Sequence, residues 1–297
     1  MICTLCPRLC HAERMEQEGK GVCRVGTLPR IARAALHMWE EPCISGTRGS
    51  GAIFFSGCNL QCAFCQNEVI SHGGQGETVS VERLAEIFRE LENQGAHNIN
   101  LVTPTMFSPQ INAALTLAKA HGLHIPVVYN TSGYELPEAL AVIAPQINVY
   151  LPDFKYLSPE LSARYSHAAD YPDFAKASLA MMAARLGSAR FDESGMMTRG
   201  IIVRHLLLPG QLRESMRVLD YLYGEYGNSI YYSLMSQYTP LPTLPETYPE
   251  LRRRVTTYEY QKLIDHACSL GITNGFIQDG RSAKESFIPA FNGEGVE

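Results

Sequence analysis

Seven of the nine cysteines in this 297-residue chain fall into two tight groups, Cys3/Cys6/Cys10/Cys23 and Cys58/Cys62/Cys65, while Cys43 and Cys268 stand apart. Clustered thiols in a reducing compartment serve more often as metal ligands or reactive groups than as disulfides. Two metal centres are therefore the first expectation. In Gly57-Cys58-Asn59-Leu60-Gln61-Cys62-Ala63-Phe64-Cys65-Gln66-Asn67 the spacing is C-x3-C-x2-C, directly after the apolar run Ile53-Phe54-Phe55. Thiolates suit zinc or iron-sulfur clusters, and such short spacing lets neighbouring sulfurs meet without long-range folding. Three local ligands are one short of closure. A cubane on three thiolates leaves one iron without a protein ligand, and an open position separates a reactive metal site from a structural one. The alternative is a zinc knuckle that borrows His11 or His37 as its fourth ligand.

The first group, Cys3-x2-Cys6-x3-Cys10-x12-Cys23, supplies four thiols, and Gly19 and Gly21 give the loop freedom to turn back before Cys23. A closed four-sulfur second metal site follows. Zinc there would be structural, fixing a segment too small to build its own core, whereas an iron-sulfur cluster could relay electrons. Spacing alone does not choose the metal. Cys268 stands at helical spacing from Ile264 and reads as a buried apolar thiol; Cys43, in a Pro/Gly-flanked turn, reads as a non-ligand.

These thiols need elements to hold them. Residues 1–50 carry five cysteines and little sustained periodicity, which suggests a metal-binding lead-in segment. Residues 51–297 are regular: short β-branched or aromatic runs alternate with amphipathic stretches, the pattern of βα units around a parallel sheet. Candidate strands are 52–55, 99–102, 125–129, 147–151, 201–208, 229–234 and 275–277. Ser80 is a plausible N-cap for a helix whose apolar face is Val81, Leu84, Ile87, Phe88 and Leu91, stopped by Gly95. Thr256 and Glu259 have capping-box spacing ahead of a second such face, which ends at Gly271. Six or seven strands of this kind suit a partial or full (β/α) barrel, and a doubly wound open sheet would show similar alternation. In either fold the three-cysteine loop lies at the C-terminal end of a strand, the usual place for an active site.

Bulk properties narrow the partners. Hydrophobic residues at 45% and charged residues at 19% are ordinary globular values. A net charge of -5 gives no general attraction to phosphate backbones, which argues against nucleic acid as a principal partner. No run of about 18 apolar residues is present to cross a bilayer and no signal sequence precedes the cysteines, so a cytoplasmic location away from membranes is the default expectation.

The C-x3-C-x2-C spacing, with an aromatic just before the last cysteine and a strand entering from a short loop, resembles the radical S-adenosylmethionine superfamily. The flanking Gly-Ser-Gly-Ala-Ile-Phe-Phe-Ser-Gly-Cys and Cys-Gln-Asn are similar to the branch related to pyruvate formate-lyase activating enzymes. Glu40-Glu41-Pro42, Thr103-Pro104-Thr105, Asn130-Thr131-Ser132-Gly133-Tyr134 and Gln237-Tyr238 together resemble a less characterised subgroup of that branch. The resemblance implies a partial or full (β/α) barrel and an enzyme holding a [4Fe-4S] cluster on Cys58, Cys62 and Cys65. S-adenosylmethionine would chelate the open iron, and reductive cleavage of its carbon-sulfur bond would yield a radical that abstracts hydrogen. It also implies an external one-electron reductant such as flavodoxin or ferredoxin. The substrate would be a glycine of a partner protein, as in the best-known relatives, or a small molecule or peptide. A non-catalytic zinc-binding scaffold is the reading from a different class.

The same resemblance distributes the cofactor-binding roles. Phe64 would lie beside the adenine, and Thr103 and Thr105 would approach the methionine end. The superfamily often has a Gly-Gly-Glu-like segment there; this chain has Val-Thr-Pro-Thr. Asn130 and Thr131, with Asp153 and Lys155 after the next strand, would organise the cofactor carboxylate. Relatives use an Asp-Thr pair where Asn130-Thr131 stands, so a charge that would favour a monovalent cation is missing. Period-2 alternation points Arg204 and His205 to opposite faces of one strand; His205 is a further candidate, as is Gln237 after the next strand. No residue stands out as an acid-base catalyst.

Overall fold

The fold is that of a computed structural model that describes residues 2–72, 74–278 and 288–297. Its strands are β1 (Arg30–His37), β2 (Ser50–Phe55), β3 (Glu77–Thr78), β4 (Ile99–Val102), β5 (Val127–Thr131), β6 (Val149–Pro152), β7 (Arg190–Phe191), β8 (Met197–Leu206), β9 (Tyr231–Met235) and β10 (Gly275–Ile277). The helices are α1 (Pro42–Ser45), α2 (Glu68–Ser71), α3 (Val81–Asn93), α4 (Ser108–Ala120), α5 (Pro137–Ile143), α6 (Pro159–Ser166), α7 (Tyr171–Leu186), α8 (Leu212–Tyr226) and α9 (Thr257–Leu270).

The sheet runs β10-β9-β8-β6-β5-β4-β2-β1-β3, with β7 paired to β8. Pairing is parallel from β2 through β4, β5, β6, β8 and β9 to β10. Residues of β2, β4, β5, β8, β9 and β10 all border one cavity, so the sheet curls around it, while β10 and β2 do not pair. The architecture is a mixed α/β fold with an unclosed, largely parallel sheet: a partial barrel. That outcome selects the partial barrel from the alternatives open to the sequence. The inner strands are buried on both faces, as a parallel sheet under helices requires, which is why β2, β4 and β5 read as continuous apolar runs.

Each of the seven parallel strands overlaps a stretch expected from the sequence, with ends shifted by up to four residues. Residues 30–37, grouped by sequence with the lead-in, instead form β1, antiparallel to β2. The chain's end covers this strand: Ala34 donates its N–H to the Glu294 carbonyl at 2.8 Å, and Gly293 donates to Ala32 at 3.0 Å. Gly295 makes that approach possible, since a Cβ there would stand 2.0 Å from the Ala34 oxygen. Cys268 departs from expectation. It is exposed, because α9 turns Tyr260, Leu263 and Ala267 to the core and the position after Ala267 faces solvent. Among the described residues no helix is long and apolar enough to cross a membrane.

Helix starts follow the capping signals. Ser80 accepts the Arg83 N–H at 3.1 Å to open α3. At α9, Thr256 Oγ1 accepts from the Glu259 N–H at 3.1 Å while the Glu259 carboxylate accepts from the Thr256 N–H at 2.9 Å. Helix α9 in turn fixes two cavity strands: the Tyr260 hydroxyl donates to the Leu234 carbonyl of β9 at 2.7 Å and accepts from the Gln278 N–H beyond β10. Thr256→Ala is expected to cost about 1 kcal/mol, the usual value of an N-cap. Urea unfolding checks this, as a lower midpoint with unchanged slope.

Candidate active site

The three-cysteine loop leaves β2 at Gly57, whose φ of +87° suits glycine alone. A Cβ there would also stand 2.7 Å from the Cys23 carbonyl oxygen and 2.6 Å from the Val25 side chain. The loop therefore lies directly against the cysteine-rich segment. Cys58, Cys62 and Cys65 are free and partly buried. The Leu60 N–H points at the Cys58 sulfur at 3.4 Å, and the Ser166 hydroxyl donates to the Cys62 sulfur at 3.0 Å. Burial lifts the Cys62 thiol to about 11 and the Cys65 thiol to about 12, and in each case the neighbouring cysteines push the same way. Three clustered soft sulfurs with hydrogen-bond donors already aimed at two of them suit a polynuclear cluster, whose positive irons would take the place of the protons. The donor set thus fits a [4Fe-4S] cluster.

Cys62, Phe64 and Cys65 border a cavity of about 620 Å³ inside the curl of the sheet, a size normal for small-molecule sites. Its opposite wall is charged. Arg204 on β8 donates from Nε to Asp153 Oδ1 at 3.0 Å, from Nη1 to Glu40 Oε2 at 3.2 Å and from Nη2 to Asn130 Oδ1 at 2.6 Å. Lys155 Nζ donates to Asp153 Oδ2 at 2.6 Å and stands 5.9 Å from the Phe64 ring centroid. Glu40 Oε1 accepts from Asn100 Nδ2 at 3.0 Å and from Asn130 Nδ2 at 3.3 Å. Burial alone would raise the Asp153 carboxyl, but Lys155 and Arg204 together outweigh it and hold Asp153 below the usual aspartate range. Lys155 and Arg204 are held protonated by the same pairing against their own burial.

Of the residues singled out from the sequence, Phe64, Asn130, Asp153, Lys155 and Gln237 border this cavity. Gln237 is engaged: its carbonyl accepts from Gln66 Nε2 at 2.9 Å and its Oε1 from Gln278 Nε2 at 2.7 Å. Thr103, Thr105, Thr131 and His205 do not border the cavity. Alternation along β8 sends Arg204 inward and His205 into the core, where its ring Nδ1 lies 2.7 Å from the Phe154 carbonyl oxygen. Burial lowers its pKa, so the ring is neutral and Nδ1 carries the proton toward that oxygen. Thr105 and Thr131 turn to Glu135, a carboxylic acid only 1% exposed: Thr105 Oγ1 donates to it at 2.6 Å, Thr131 Oγ1 donates to the same oxygen, and Tyr129 reaches it at 3.4 Å. Thr103 itself takes a left-handed φ of +59°, strained for a β-branched residue, and its N–H bonds to the Asn130 carbonyl at 2.9 Å.

Sequence reasoning gave no site role to Glu40, Glu41 or Trp39, all on the cavity. They lie just past β1 in a stretch without periodicity, and the available signals were the pair of carboxylates and the place of Glu40-Glu41-Pro42 in the resemblance to the subgroup. Glu41 is 8% exposed and its Oε2 has no hydrogen-bond partner among the described residues.

Comparison with known proteins decides the family. The profile of the Radical SAM superfamily matches residues 52–220, more than half of the chain. The chain belongs to the radical S-adenosylmethionine superfamily. As a radical S-adenosylmethionine enzyme, it has a [4Fe-4S] cluster and S-adenosylmethionine as cofactors. An uncharacterized protein of Methanocaldococcus jannaschii is 28% identical over 275 residues, 89% of this chain and 74% of that one. Among solved structures, HydG, a maturase of the [FeFe]-hydrogenase, aligns with a TM-score of 0.54 at 14% identity over 85% of this chain and 58% of its own. Streptococcus suis SuiB bound to S-adenosylmethionine aligns with a TM-score of 0.49 at 12% identity, over 75% of this chain and 48% of its own. The chain thus spans about half the length of the solved structures it matches. HydG at this identity supports the fold.

Glu135 generates a pH prediction. Burial raises its pKa from 4.5 to about 7, although Thr105, Thr131 and Tyr129 donate to it and pull the other way. Between those values the unfolded chain has lost a proton that the folded chain keeps, so stability falls as pH rises through this window. Glu135→Gln mimics the protonated acid and removes that loss. Relative to the native chain, the variant should gain on the order of 3 kcal/mol between about pH 4 and about pH 8. Urea midpoints at the two pH values measure it, and an unchanged difference would show that Glu135 does not titrate in this window.

Proposed function

We propose that Cys58, Cys62 and Cys65 hold the [4Fe-4S] cluster at the rim of the cavity, and that hydrogen abstraction takes place inside it. The observation that carries this reading is the meeting of the three-thiol loop and the Asn130/Asp153/Lys155/Arg204 network on one cavity. When bound, the cluster supplies the electron that cleaves the carbon-sulfur bond of S-adenosylmethionine. The protein's own groups bind and orient. Phe64 offers an apolar face stiffened by Tyr156 and Tyr165, whose ring centroids are each 6.5 Å away. Lys155 and Arg204 offer cations to the cofactor carboxylate, and Asp153 and Asn130 fix both of them before it arrives, so little reorganisation is needed on binding. Gln237 ties the end of the cysteine loop to the segment after β10 and serves as a brace. His205 supports β6 through the Phe154 carbonyl.

The strand-loop sequence around Cys58 supports membership of the branch related to pyruvate formate-lyase activating enzymes, with reduction by a flavodoxin- or ferredoxin-type carrier. For the substrate, Glu41 favours a small molecule or peptide over a glycine presented by a folded partner. Glu41 lines the cavity, burial raises the pKa of its carboxyl, and its buried Oε2 has no hydrogen-bond partner among the described residues, so a ligand bearing an ammonium would pair that carboxyl and favour its charged form. A glycine backbone offers an amide N–H but no cation.

Cys62→Ala should reduce reductive cleavage of S-adenosylmethionine to background, because two thiolates do not secure a cubane. Anaerobic turnover with product quantified by chromatography checks it, and sustained cleavage would refute the ligand assignment. The substrate reading is tested by offering deuterated amines and peptides and measuring deuterium in 5'-deoxyadenosine. Label should arrive from amine-bearing compounds; label arriving only from deuterated glycine in a partner protein would reverse the substrate choice.

A further inference from the structure

The groups given a task above make up only part of the cavity's lining. Trp39, Phe54, Phe276, Ile277 and Ile288 border it too and carry no charge. Phe54 and Phe276 come from β2 and β10, the first and last strands of the parallel run, which do not pair with each other. Each ring is braced away from the cavity's other groups. Phe54 meets His37 and Phe291 edge-on, with ring centroids 5.7 and 5.5 Å away, and Phe276 stacks on Tyr231 at 5.9 Å. Rings fixed in this way offer apolar surface that needs little ordering when a ligand arrives. Trp39 is 58% exposed, which places it where the cavity meets solvent.

The charges select the other end of the ligand. Among the described residues on the cavity the basic side chains are Lys155, Arg204 and His37. Lys155 and Arg204 are both paired with Asp153, and Arg204 with Glu40 as well. Burial lowers the pKa of His37 to about 4, with Arg33 pushing the same way, so its ring is neutral near pH 7. Beyond the two cations assigned to the cofactor carboxylate, the lining therefore holds none for an acidic substrate. The acidic balance is open instead. Glu41 is 8% exposed and its Oε2 has no hydrogen-bond partner among the described residues. Burial raises its carboxyl and Glu40 adds to that, while Arg204 pulls the other way. Once ionised, Glu41 would join Glu40 and Asp153 as a third carboxylate against two cations, and an ammonium supplies the missing charge.

We propose that the substrate is a primary amine on an uncharged apolar body, with Glu41 pairing the ammonium and Trp39, Phe54 and Phe276 holding the body. That this ligand is the substrate rests on the reading that hydrogen abstraction takes place in this cavity; that the cavity binds it does not.

The test titrates the anaerobically reconstituted full chain, with S-adenosylmethionine present, by calorimetry. The probes are phenethylamine, 3-phenylpropionate, which has a similar body and the opposite charge, and ethanolamine, which has the charge without the body. Phenethylamine should bind at least about tenfold more tightly than either. Trp39 is the chain's single tryptophan, so its emission should shift in step with that binding. Glu41→Gln should weaken phenethylamine by about tenfold or more. Equal or tighter binding of 3-phenylpropionate or ethanolamine overturns the proposal, as does no binding of phenethylamine, or binding that leaves Trp39 emission unchanged. These comparisons use the native chain and decide the matter even if Glu41→Gln fails to fold. A folded Glu41→Gln chain that loses affinity for S-adenosylmethionine while keeping phenethylamine also overturns it. Preferred binding of phenethylamine by a chain that cleaves no S-adenosylmethionine would sink the abstraction reading and leave the amine site standing. Deuterium reaching 5'-deoxyadenosine only from compounds without an amine would do the reverse.

Discussion

A guanidinium carried into the hollow of a sheet must have its charge answered there, and Arg204 imposes that demand on this fold. Its partners come from separate parts of the chain: Asp153 after β6, Asn130 on β5 and Glu40 past the end of β1. Strand pairing brings the first two near. Glu40 arrives only because the chain after β1 crosses into the barrel before α1. Removing one partner of such a network leaves another charge buried and unpaired, at a cost of about 3–5 kcal/mol. The requirement therefore fixes the floor of the cavity and, through Asp153 and Lys155, the residues that face Phe64 and the cysteine loop.

The loop is held from its other side by the part of the lead-in that precedes β1. Arg8 spans to the carbonyls of Asn59, Leu60 and Ser166 and lies 5.3 Å from the Tyr134 ring centroid. Asn59 Nδ2 completes the circle by donating to the Tyr134 carbonyl at 2.8 Å. These contacts meet backbone groups of a loop that has no ladder to satisfy them. The lead-in thus immobilises a reactive loop that its own sequence, rich in polar and small residues, would leave mobile.

What the sequence revealed follows from how local each signal is. The seven parallel strands were legible because burial on both faces makes continuous apolar runs, and α3 and α9 because Ser80 and Thr256 cap them within four residues. The three-cysteine loop was legible for the same reason. Strand β1 was not: Arg30-Ile31-Ala32-Arg33-Ala34-Ala35 alternates weakly, and tertiary pairing with β2 and the chain's end makes it a strand. Phe64, Asn130, Asp153 and Lys155 could be placed on the cavity because strand ends mark it. Glu40 and Glu41 could not, since nothing in their neighbourhood shows that the chain enters the barrel there. For Arg204 and His205, alternation gave opposite faces without saying which was inside; the need to pair a charge decides it.

The strand-end segment Thr103-Pro104-Thr105 shows how a departure from a family pattern is absorbed. A Gly-Gly-Glu-like segment would bring its carboxylate from β4 itself. Here the nearest buried carboxyl is Glu135, beyond β5, and Thr105 and Thr131 both donate to it. Those two threonines therefore serve the core between neighbouring strand ends and leave the cavity to Asn130. The left-handed Thr103 turns the chain so that Thr105 can reach inward, and its strain is offset by hydrogen bonds that only this turn allows. The charge that relatives place on one strand is thus divided in this chain: an acid retained in the core, and carboxylates of Glu40 and Glu41 delivered from below.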